Sequence, residues 1–270
     1  MKVAAPDGAV ISIVVEGAGP PLMMVTGTGD DHTRYGRIAV SLAQRFTLYR
    51  VDRRGRCASR DGNGDYAIAR EADDMLAVID AIHATAGKVK LLAHSHGAVV
   101  CLEAAARTDK LAALLLYEPP MPYYERIEGK DPRQELITGM VERANAGDYD
   151  AVMIRYLREF LGTPMEAVER HRANPRAWAR WRSMAPSVTR ELTAIRGYEF
   201  DAARFTHLKV PLRILVGSTS RPAMLRTAQR IQAAVPQASI VELPGQAHAA
   251  MTAAPEMFAT AVLAFFNGAN

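Results

Sequence analysis

The sequence has only two cysteines, Cys57 and Cys101, in 270 residues. They form neither a CxxC pair nor a disulfide framework, which indicates two free thiols in a reducing compartment. No stretch approaches the roughly 20 apolar residues that a membrane-spanning helix needs. Residues 1–17 alternate apolar and polar side chains and lack the continuous apolar segment of a signal peptide. We therefore expect a cytoplasmic protein without a membrane partner.

An excess of charge of one sign is also missing, since 33 Lys and Arg stand against 29 Asp and Glu. No basic run interleaved with aromatic residues and no zinc-finger spacing occurs, so nucleic acid is not a predicted partner. The predicted strands lack a His-x-His pair and the chain lacks HExxH, so we expect neither a metal site nor a cofactor. The length favours one domain with an insertion over two equal domains.

Short apolar runs alternate with segments of helical length, and most of the runs lack polar alternation, as strands buried on both faces should. This rhythm predicts an α/β fold with a mostly parallel central sheet and helices on both of its faces. The predicted strands are Ile11–Val15, Leu22–Val25, Phe46–Val51, Val89–Ala93, Leu111–Tyr117, Leu212–Val216 and Ser239–Leu243. The predicted helices are Arg34–Gln44, Glu71–Thr85, Ala98–Arg107, Pro222–Ala234 and Pro255–Phe266.

The alternation stops between Pro119 and Val210, where about ninety residues show helical periodicity and no convincing strand. We predict a core domain of residues 1–119 and 210–270 with a helical cap insertion of residues 120–209. Because the insertion lies between two predicted strands, it should fold over the carboxyl edge of the sheet, where open α/β sheets bind ligands. Helix breakers divide this stretch at Gly129, Pro132, Gly147, Pro164, Pro175, Pro186 and Gly197.

The most specific pattern is Ala-His-Ser-His-Gly at residues 93–97, between a predicted strand and a predicted helix. A serine in such a tight strand-to-helix turn is presented to substrate, and small residues two before and two after it let neighbouring chains approach. Ser95 is therefore the candidate nucleophile. Ala93 stands where a first glycine is usual, and one methyl group is normally tolerated there. The flanking His94 and His96 are expected to pack or to line the pocket.

Three further segments resemble motifs of the α/β-hydrolase superfamily. Residues 25–29 resemble its oxyanion loop, with Thr26 where histidine is usual, and residues 52–59 resemble its structural Asp-x-Arg-Gly turn. Residues 243–248 resemble the loop that follows the last strand and carries the catalytic histidine. The resemblance implies an α/β-hydrolase fold and a serine hydrolase in which His248 is the general base.

The same resemblance implies where the oxyanion of an acyl-transfer reaction would be held. Two backbone N–H groups would supply the oxyanion hole, one from His96 and one from Thr28. Gly27 is an alternative to Thr28, because the sequence does not separate the two.

The acid of the triad departs from the usual family pattern. No carboxylate follows the predicted strand Leu212–Val216, where the acid is usually found. Glu118 directly follows the strand adjacent to the nucleophile strand, and some family members carry the acid there, among them zearalenone-type lactone hydrolases. The chain resembles these enzymes in both features, so Glu118 is the predicted acid, with a solvated glutamate as the alternative.

Candidate substrate contacts come mainly from the predicted cap. We expect Trp178, Trp181 and Tyr156 to line the substrate pocket, together with His32 after the oxyanion loop. Tyr156 also belongs to an apolar stripe at helical spacing, which is more often the core of a cap than a substrate wall.

Arginines are frequent in the same segment, and three of them, Arg172, Arg176 and Arg180, recur at helical spacing. Such a row is most often a solvated helix face. A pocket that recognises a carboxylate is the alternative interpretation.

These residues together predict hydrolysis of a carboxylic ester or lactone through an acyl-enzyme, with a small-molecule substrate. A hydroxynitrile lyase, a cofactor-free perhydrolase or a C–C bond hydrolase would keep the triad and change only the pocket. A non-catalytic ligand receptor with the same fold is the alternative from a different class. The sequence does not distinguish a monomer from a homodimer.

Overall fold

The computed structural model describes residues 1–121, 131 and 133–268. Within them eight strands form one sheet. The strands are β1 (Lys2–Ala4), β2 (Val10–Gly17), β3 (Pro21–Val25), β4 (Thr47–Asp52), β5 (Val89–His94), β6 (Leu111–Tyr117), β7 (Leu212–Gly217) and β8 (Ser239–Leu243). Their order in the sheet is β1-β2-β4-β3-β5-β6-β7-β8. The strands β1 and β2 are antiparallel to their neighbours, and all other pairs are parallel.

Helices connect the parallel strands and cover both faces of the sheet. The helices are α1 (Gly36–Leu42), α2 (Ile68–Ala86), α3 (His96–Ala105), α4 (Gln134–Asn145), α5 (Tyr149–Arg155), α6 (Met165–Arg172), α7 (Pro175–Ser183), α8 (Ala185–Arg196), α9 (Pro222–Ala234), α10 (Ala250–Ala253) and α11 (Pro255–Phe266). Short 3-10 turns at His32–Tyr35 and Ala202–Phe205 and a π-helical turn at Tyr156–Phe160 complete the elements.

The α/β fold with a mostly parallel sheet is confirmed, and each of the seven predicted strands is present. The strand β1 was not predicted, because its three residues at the sheet edge are mostly exposed and carry little apolar signal. The predicted helix Arg34–Gln44 is shorter than expected. It starts with the 3-10 turn and reaches α-helical geometry only at Gly36.

The sheet separates two apolar layers. Successive residues of β3 point to opposite faces, so that Met23 and Val25 join one layer while Leu22 and Met24 join the other. The first layer packs under α2, α3 and α9, and the second under α1 and α11. Both faces are therefore buried, which explains the continuous apolar runs of the parallel strands.

The helices α4 to α8 lie between β6 and β7 in the chain, and we call them the helical cap. Their inward side chains form a third apolar cluster that includes Met140, Val152 and Val188. Breakers Gly129 and Pro132 lie outside the described residues. No helix in the described part of the chain is long and apolar enough to cross a bilayer.

Candidate active site

Ser95 lies in the turn between β5 and α3 with φ 54° and ψ −129°. This backbone conformation is rare for a residue with a side chain and costs roughly 1–3 kcal/mol. Two glycines make the turn possible. A Cβ on Gly97 would come within 2.3 Å of the Thr26 carbonyl oxygen, and a Cβ on Gly27 within 2.7 Å of the Ser95 Cβ. The strain and the close approach present the Ser95 hydroxyl at the carboxyl edge of the sheet.

His248 connects Ser95 to Glu118. Its Nε2 lies 2.9 Å from the Ser95 Oγ, and its Nδ1 lies 2.6 Å from the Glu118 Oε2. A carboxylate can only accept, so Nδ1 carries the proton and donates it. Nε2 of the neutral ring is then free to accept the proton of the Ser95 hydroxyl. The structure thus brings the three residues into one hydrogen-bonded line.

Glu118 is fully buried at the end of β6, with a positive φ of 48°. Its second carboxylate oxygen accepts from the Gly217 N–H at 2.8 Å and from the Ser220 hydroxyl. Burial raises the pKa of Glu118, but the hydrogen bond and charge of His248, followed by these two donors, hold it below its usual value. The last residue of β7 and the loop after it, where the acid is usually found, here supply donors that keep Glu118 ionised.

The loop that carries His248 is fixed by two buried side chains beneath it. The His94 Nε2 donates to the His248 carbonyl at 2.9 Å, and the Tyr117 hydroxyl donates to the carbonyl of Ala247. Burial and the neighbouring His248 hold the pKa of His94 well below its usual value, so its ring is neutral. His94 and Tyr117 therefore position His248.

In the loop of residues 25–29, which resembles an oxyanion loop and is called the oxyanion loop below, the peptide between Gly27 and Thr28 has a defined orientation. The Arg53 Nη2 donates to the Gly27 carbonyl at 3.1 Å from the buried side. In a trans peptide the C=O and N–H point in opposite directions, so the Thr28 N–H points away from Arg53. Thr28 and His96 both line the cavity that contains Ser95. Among the described residues, neither of their N–H groups has a hydrogen-bond acceptor in the protein.

A buried ionic network lies beneath this loop. Arg53, itself fully buried, binds Glu71 at 2.8 Å and Glu191 at 2.7 Å, and Glu191 also binds Arg56. Burial raises the pKa of Glu71 and Glu191, but the arginines outweigh it and hold both below their usual values. Glu191 belongs to α8, so a cap residue takes part in fixing the oxyanion loop.

Core and cap enclose a cavity of about 110 Å³ around Ser95 and His248. Trp181 and Tyr156 line it from the cap, and the Tyr156 hydroxyl also donates to the Thr28 carbonyl at 2.8 Å. Of the described residues that directly follow β6, Pro120 lines the cavity as well. The apolar part of the wall is formed by Leu157, Phe160, Leu161, Leu192, Ile195 and Met224.

Two residues expected at the pocket lie elsewhere. Trp178 packs in the apolar cluster of the cap, where its indole N–H donates to Asp150 at 2.6 Å. His32 is turned towards Asp52, with Nδ1 2.8 Å from Oδ1. Neither residue lines the cavity, so the expected substrate contacts of Trp178 and His32 are replaced by structural hydrogen bonds.

The arginine row of the cap faces solvent. Arg172 pairs with Glu169 at 2.9 Å, Arg176 is exposed, and Arg180 binds Asp31 at 2.8 Å. None of the three lines the catalytic cavity. The solvated-face interpretation fits them, and the carboxylate pocket is not formed by this row.

Four side chains near the oxyanion loop, Asp31, His32, Asp52 and Cys57, place potential ligand atoms within 4.8 Å of one another. Their groups already have protein partners, because Asp52 binds His32 and Asp31 binds the Arg180 guanidinium. Burial, followed by the charges of Asp52 and Asp31, raises the pKa of the Cys57 thiol to about 12. The set therefore forms a hydrogen-bonded cluster, and its donors do not fit a cation site well.

Sequence reasoning did not identify Arg53, Glu191 and Tyr117 as parts of the site. Arg53 lies in the turn of residues 52–59, for which the sequence predicts only a structural role. Its position next to Asp52 does not indicate a contact with the site. Tyr117 immediately precedes the predicted acid, which is a usable signal for a residue at the same sheet edge. For Glu191 the sequence carried no such signal.

Comparison with known proteins supports the fold. The Alpha/beta hydrolase family matches residues 22–261. The structure of an alpha/beta hydrolase from Sphaerobacter thermophilus is similar with a TM-score of 0.81 and 28% identity, covering 98% of this chain and 100% of that one. The enol-lactonase from Burkholderia xenovorans has a TM-score of 0.75 at 20% identity, covering 99% and 100% of the two chains.

Curated sequences give weaker matches. The 2-(acetamidomethylene)succinate hydrolase of Mesorhizobium japonicum is 23% identical over 265 residues, covering 95% of this chain and 91% of that protein. The match to an uncharacterized protein of Mycobacterium tuberculosis is 30% identical but covers only 38% of this chain and 29% of that protein. The family match extends over most of the length of the chain. This chain belongs to the alpha/beta hydrolase family.

Proposed function

We propose that the protein is a serine hydrolase that cleaves a carboxylic ester or lactone through an acyl-enzyme. The observation that supports this best is the hydrogen-bonded line from Ser95 through His248 to Glu118. Its nucleophilic end opens into a cavity that also contains the N–H groups of Thr28 and His96.

The first half of the reaction forms the acyl-enzyme. Ser95 Oγ attacks the carbonyl carbon while its proton passes to His248 Nε2, and the carbonyl oxygen gains a negative charge. The N–H groups of Thr28 and His96 stabilise this oxyanion. When the intermediate collapses, the bond to the leaving oxygen breaks and His248 returns the proton to the departing alkoxide.

The second half releases the acid and restores the enzyme. His248 removes a proton from water, whose oxygen attacks the acyl carbon, and the bond to Ser95 Oγ breaks as Oγ takes the proton back. Glu118 remains ionised throughout and stabilises the imidazolium in both halves. For a lactone, the alcohol and the acid stay in one product molecule.

The non-catalytic receptor is disfavoured because a receptor needs neither the strained Ser95 turn nor the fixed base loop. The lyase, perhydrolase and C–C hydrolase alternatives share the triad, so they are distinguished by substrate. A panel of nitrophenyl esters of rising acyl length, assayed beside several lactones, separates them from an ester or lactone hydrolase.

The direct test is labelling with a fluorophosphonate, followed by mass spectrometry of the modified peptide. We expect one adduct on Ser95, and none in Ser95→Ala. Turnover in Ser95→Ala should fall about 10⁴-fold or more while the fold is kept. Turnover within tenfold of wild type, or no adduct on Ser95, contradicts the proposal.

A further inference from the structure

Arg34 is a cationic residue in the wall of the catalytic cavity. It lies in the 3-10 turn His32–Tyr35 and lines the same cavity as Ser95 and His248. Burial and His248 are the main causes of the low pKa of His94, and the charge of Arg34 lowers it further. The guanidinium is therefore close enough to the catalytic centre to act on its electrostatics.

The hydrogen-bonding capacity of Arg34 is mostly unused by the protein. Its Nε lies 3.4 Å from the Asp30 Oδ2, and this buried nitrogen makes no hydrogen bond. Within the described part of the chain, the pairing with Asp30 is the one ion pair of Arg34, and its two terminal amino groups make no hydrogen bond to a protein acceptor. A guanidinium has five N–H donors and keeps its charge, so Arg34 retains donors for an anionic acceptor in the cavity beside its ion pair with Asp30.

The charged residues of the surrounding cavity wall also favour an anionic ligand. Asp30 is the one carboxylate among the described residues that line the cavity. Two further arginines line it as well, Arg133 from the start of the cap and Arg221 from the start of α9. Arg133 also lies over the Phe160 ring, at 4.3 Å from its centroid. Among the described residues of the wall, three arginines therefore stand against one carboxylate, next to an apolar part.

We infer that the catalytic cavity binds a free carboxylate of the substrate through Arg34. The preferred substrates are then half-esters of dicarboxylic acids, or lactones that carry a carboxylate. The planar fork of a guanidinium matches the two oxygens of a carboxylate, which gives orientation as well as attraction. This inference rests on the proposed ester or lactone hydrolysis and specifies its substrate class.

The test uses two esters that differ only in the free carboxylate: mono-nitrophenyl adipate and methyl nitrophenyl adipate. The wild type should prefer the half-ester by about 10- to 100-fold in kcat/KM, because a charge-assisted hydrogen bond is present only with the acid. Arg34→Met should bring this ratio close to one, and Arg34→Lys should keep part of it. The matched control is Arg37→Met. Arg37 is an exposed arginine in α1 that donates to the Thr252 carbonyl and lies outside the cavity.

A second measurement needs no variant. Free adipate should inhibit cleavage of the neutral ester competitively, whereas the uncharged adipamide should not. Equal kcat/KM for the two esters in the wild type, a ratio kept by Arg34→Met, or inhibition by adipamide as strong as by adipate overturns the carboxylate site. These outcomes leave ester hydrolysis itself in place. If the enzyme cleaves neither ester and the fluorophosphonate forms no adduct on Ser95, the proposed function itself is wrong.

Discussion

Glu118 shows how a buried charge is maintained at a single residue. Its carboxylate is fully buried, yet His248, Gly217 and Ser220 all donate to it, so the ionised form is favoured. In the proposed mechanism, removing the charge keeps the shape of the side chain but loses the group that stabilises the imidazolium and selects the tautomer of His248.

We therefore expect Glu118→Gln to lower kcat by about 10³- to 10⁴-fold with little change in KM. Steady-state kinetics on a nitrophenyl ester measures this. Asp201→Asn is the control, because Asp201 caps a short turn away from His248 by accepting from the Ala203 N–H. Near-normal kcat in Glu118→Gln, together with a collapse in Asp201→Asn, means that the acid lies elsewhere.

The pair of His32 and Asp52 makes the folding stability of the protein depend on pH, independently of catalysis. Its hydrogen bond to Asp52, aided by the charge of Asp52, raises the pKa of His32 above its usual 6.5, although burial opposes this. A raised pKa means that the protonated pair stabilises the folded state fully below about pH 6.5. This contribution is lost as the pH rises through the raised pKa.

The prediction concerns the difference in free energy of unfolding between wild type and His32→Asn. Because the charged pair exists only below the raised pKa, the difference should be larger at about pH 5.5 than at about pH 9. Urea denaturation at a series of pH values gives both numbers. A difference that is the same at the two ends of the series is incompatible with a protonated His32.

The residues found from the sequence are those with local signals. Ser95 and His248 each lie in a short motif next to a strand, and Glu118 follows a strand end directly. Arg53 and Glu191 are 138 positions apart, and nothing in the sequence of either indicates the other. Trp178 and Trp181 are three positions apart on one helix, about 60° around its axis, so periodicity alone could not assign one to the cap core and the other to the cavity.

At the scale of elements, the helix α8 is joined to the oxyanion loop through side chains. Glu191 fixes Arg53, and Arg53 in turn holds the Gly27 carbonyl, which sets the direction of the Thr28 N–H. The peptide that would stabilise the oxyanion therefore depends on a helix of the cap. If the cap only covered the cavity, removing the ion pair between Glu191 and Arg53 would leave the geometry of the oxyanion loop unchanged.

We expect Glu191→Gln to lower kcat by about 10- to 100-fold with a smaller change in KM, because a misplaced oxyanion donor weakens the transition state more than substrate binding. Stability should also fall by about 3–5 kcal/mol, since Arg53 and Arg56 lose a buried partner. Steady-state kinetics and urea denaturation measure the two effects separately.

The matched control for this helix is Asp61→Asn. Asp61 also joins α8 to the core, by its exposed contact with Arg190 at 2.6 Å, but it does not reach the oxyanion loop. An exposed ion pair contributes about 0–1 kcal/mol, so both stability and kcat should remain close to wild type. If Glu191→Gln lost stability but kept normal kcat once folded, its role would be structural only.

The elements themselves were predictable to different degrees. Strands buried on both faces give continuous apolar runs, so β3, β5 and β6 were found within one residue of their ends. The edge strand β1 and the 3-10 start of the first helix were not found, because exposed residues and short turns carry no periodicity. Among the described residues, the division of the cap into helices follows breakers such as Pro164 and Pro175, which stand at or next to helix starts.

At the scale of the whole molecule, the protein consists of two bodies of apolar packing with the catalytic cavity between them. The sheet and its helices contain two apolar layers, and the cap contains its own cluster. The family match extends over both bodies, since residues 22–261 include the cap helices. The cavity takes Ser95 and His248 from the core and much of its apolar wall from the cap, so we expect substrate choice to vary with the cap while the chemistry stays constant.

Two tryptophans of α7 separate these roles and give the last prediction. Trp181 lines the cavity and stacks on His171 at 4.7 Å between ring centroids, whereas Trp178 is buried in the cap cluster and bonds Asp150. Trp181→Ala enlarges the cavity, so the ratio of kcat/KM between long and short acyl chains should rise while stability changes little. Trp178→Ala creates a void in the cap core and should lower the free energy of unfolding by about 3–5 kcal/mol, with the acyl-chain ratio unchanged. Nitrophenyl esters of increasing acyl length and urea denaturation, applied to both variants, measure the two effects. A shift of the acyl-chain ratio in Trp178→Ala as large as that in Trp181→Ala would mean that the cap core and the substrate wall are one structure.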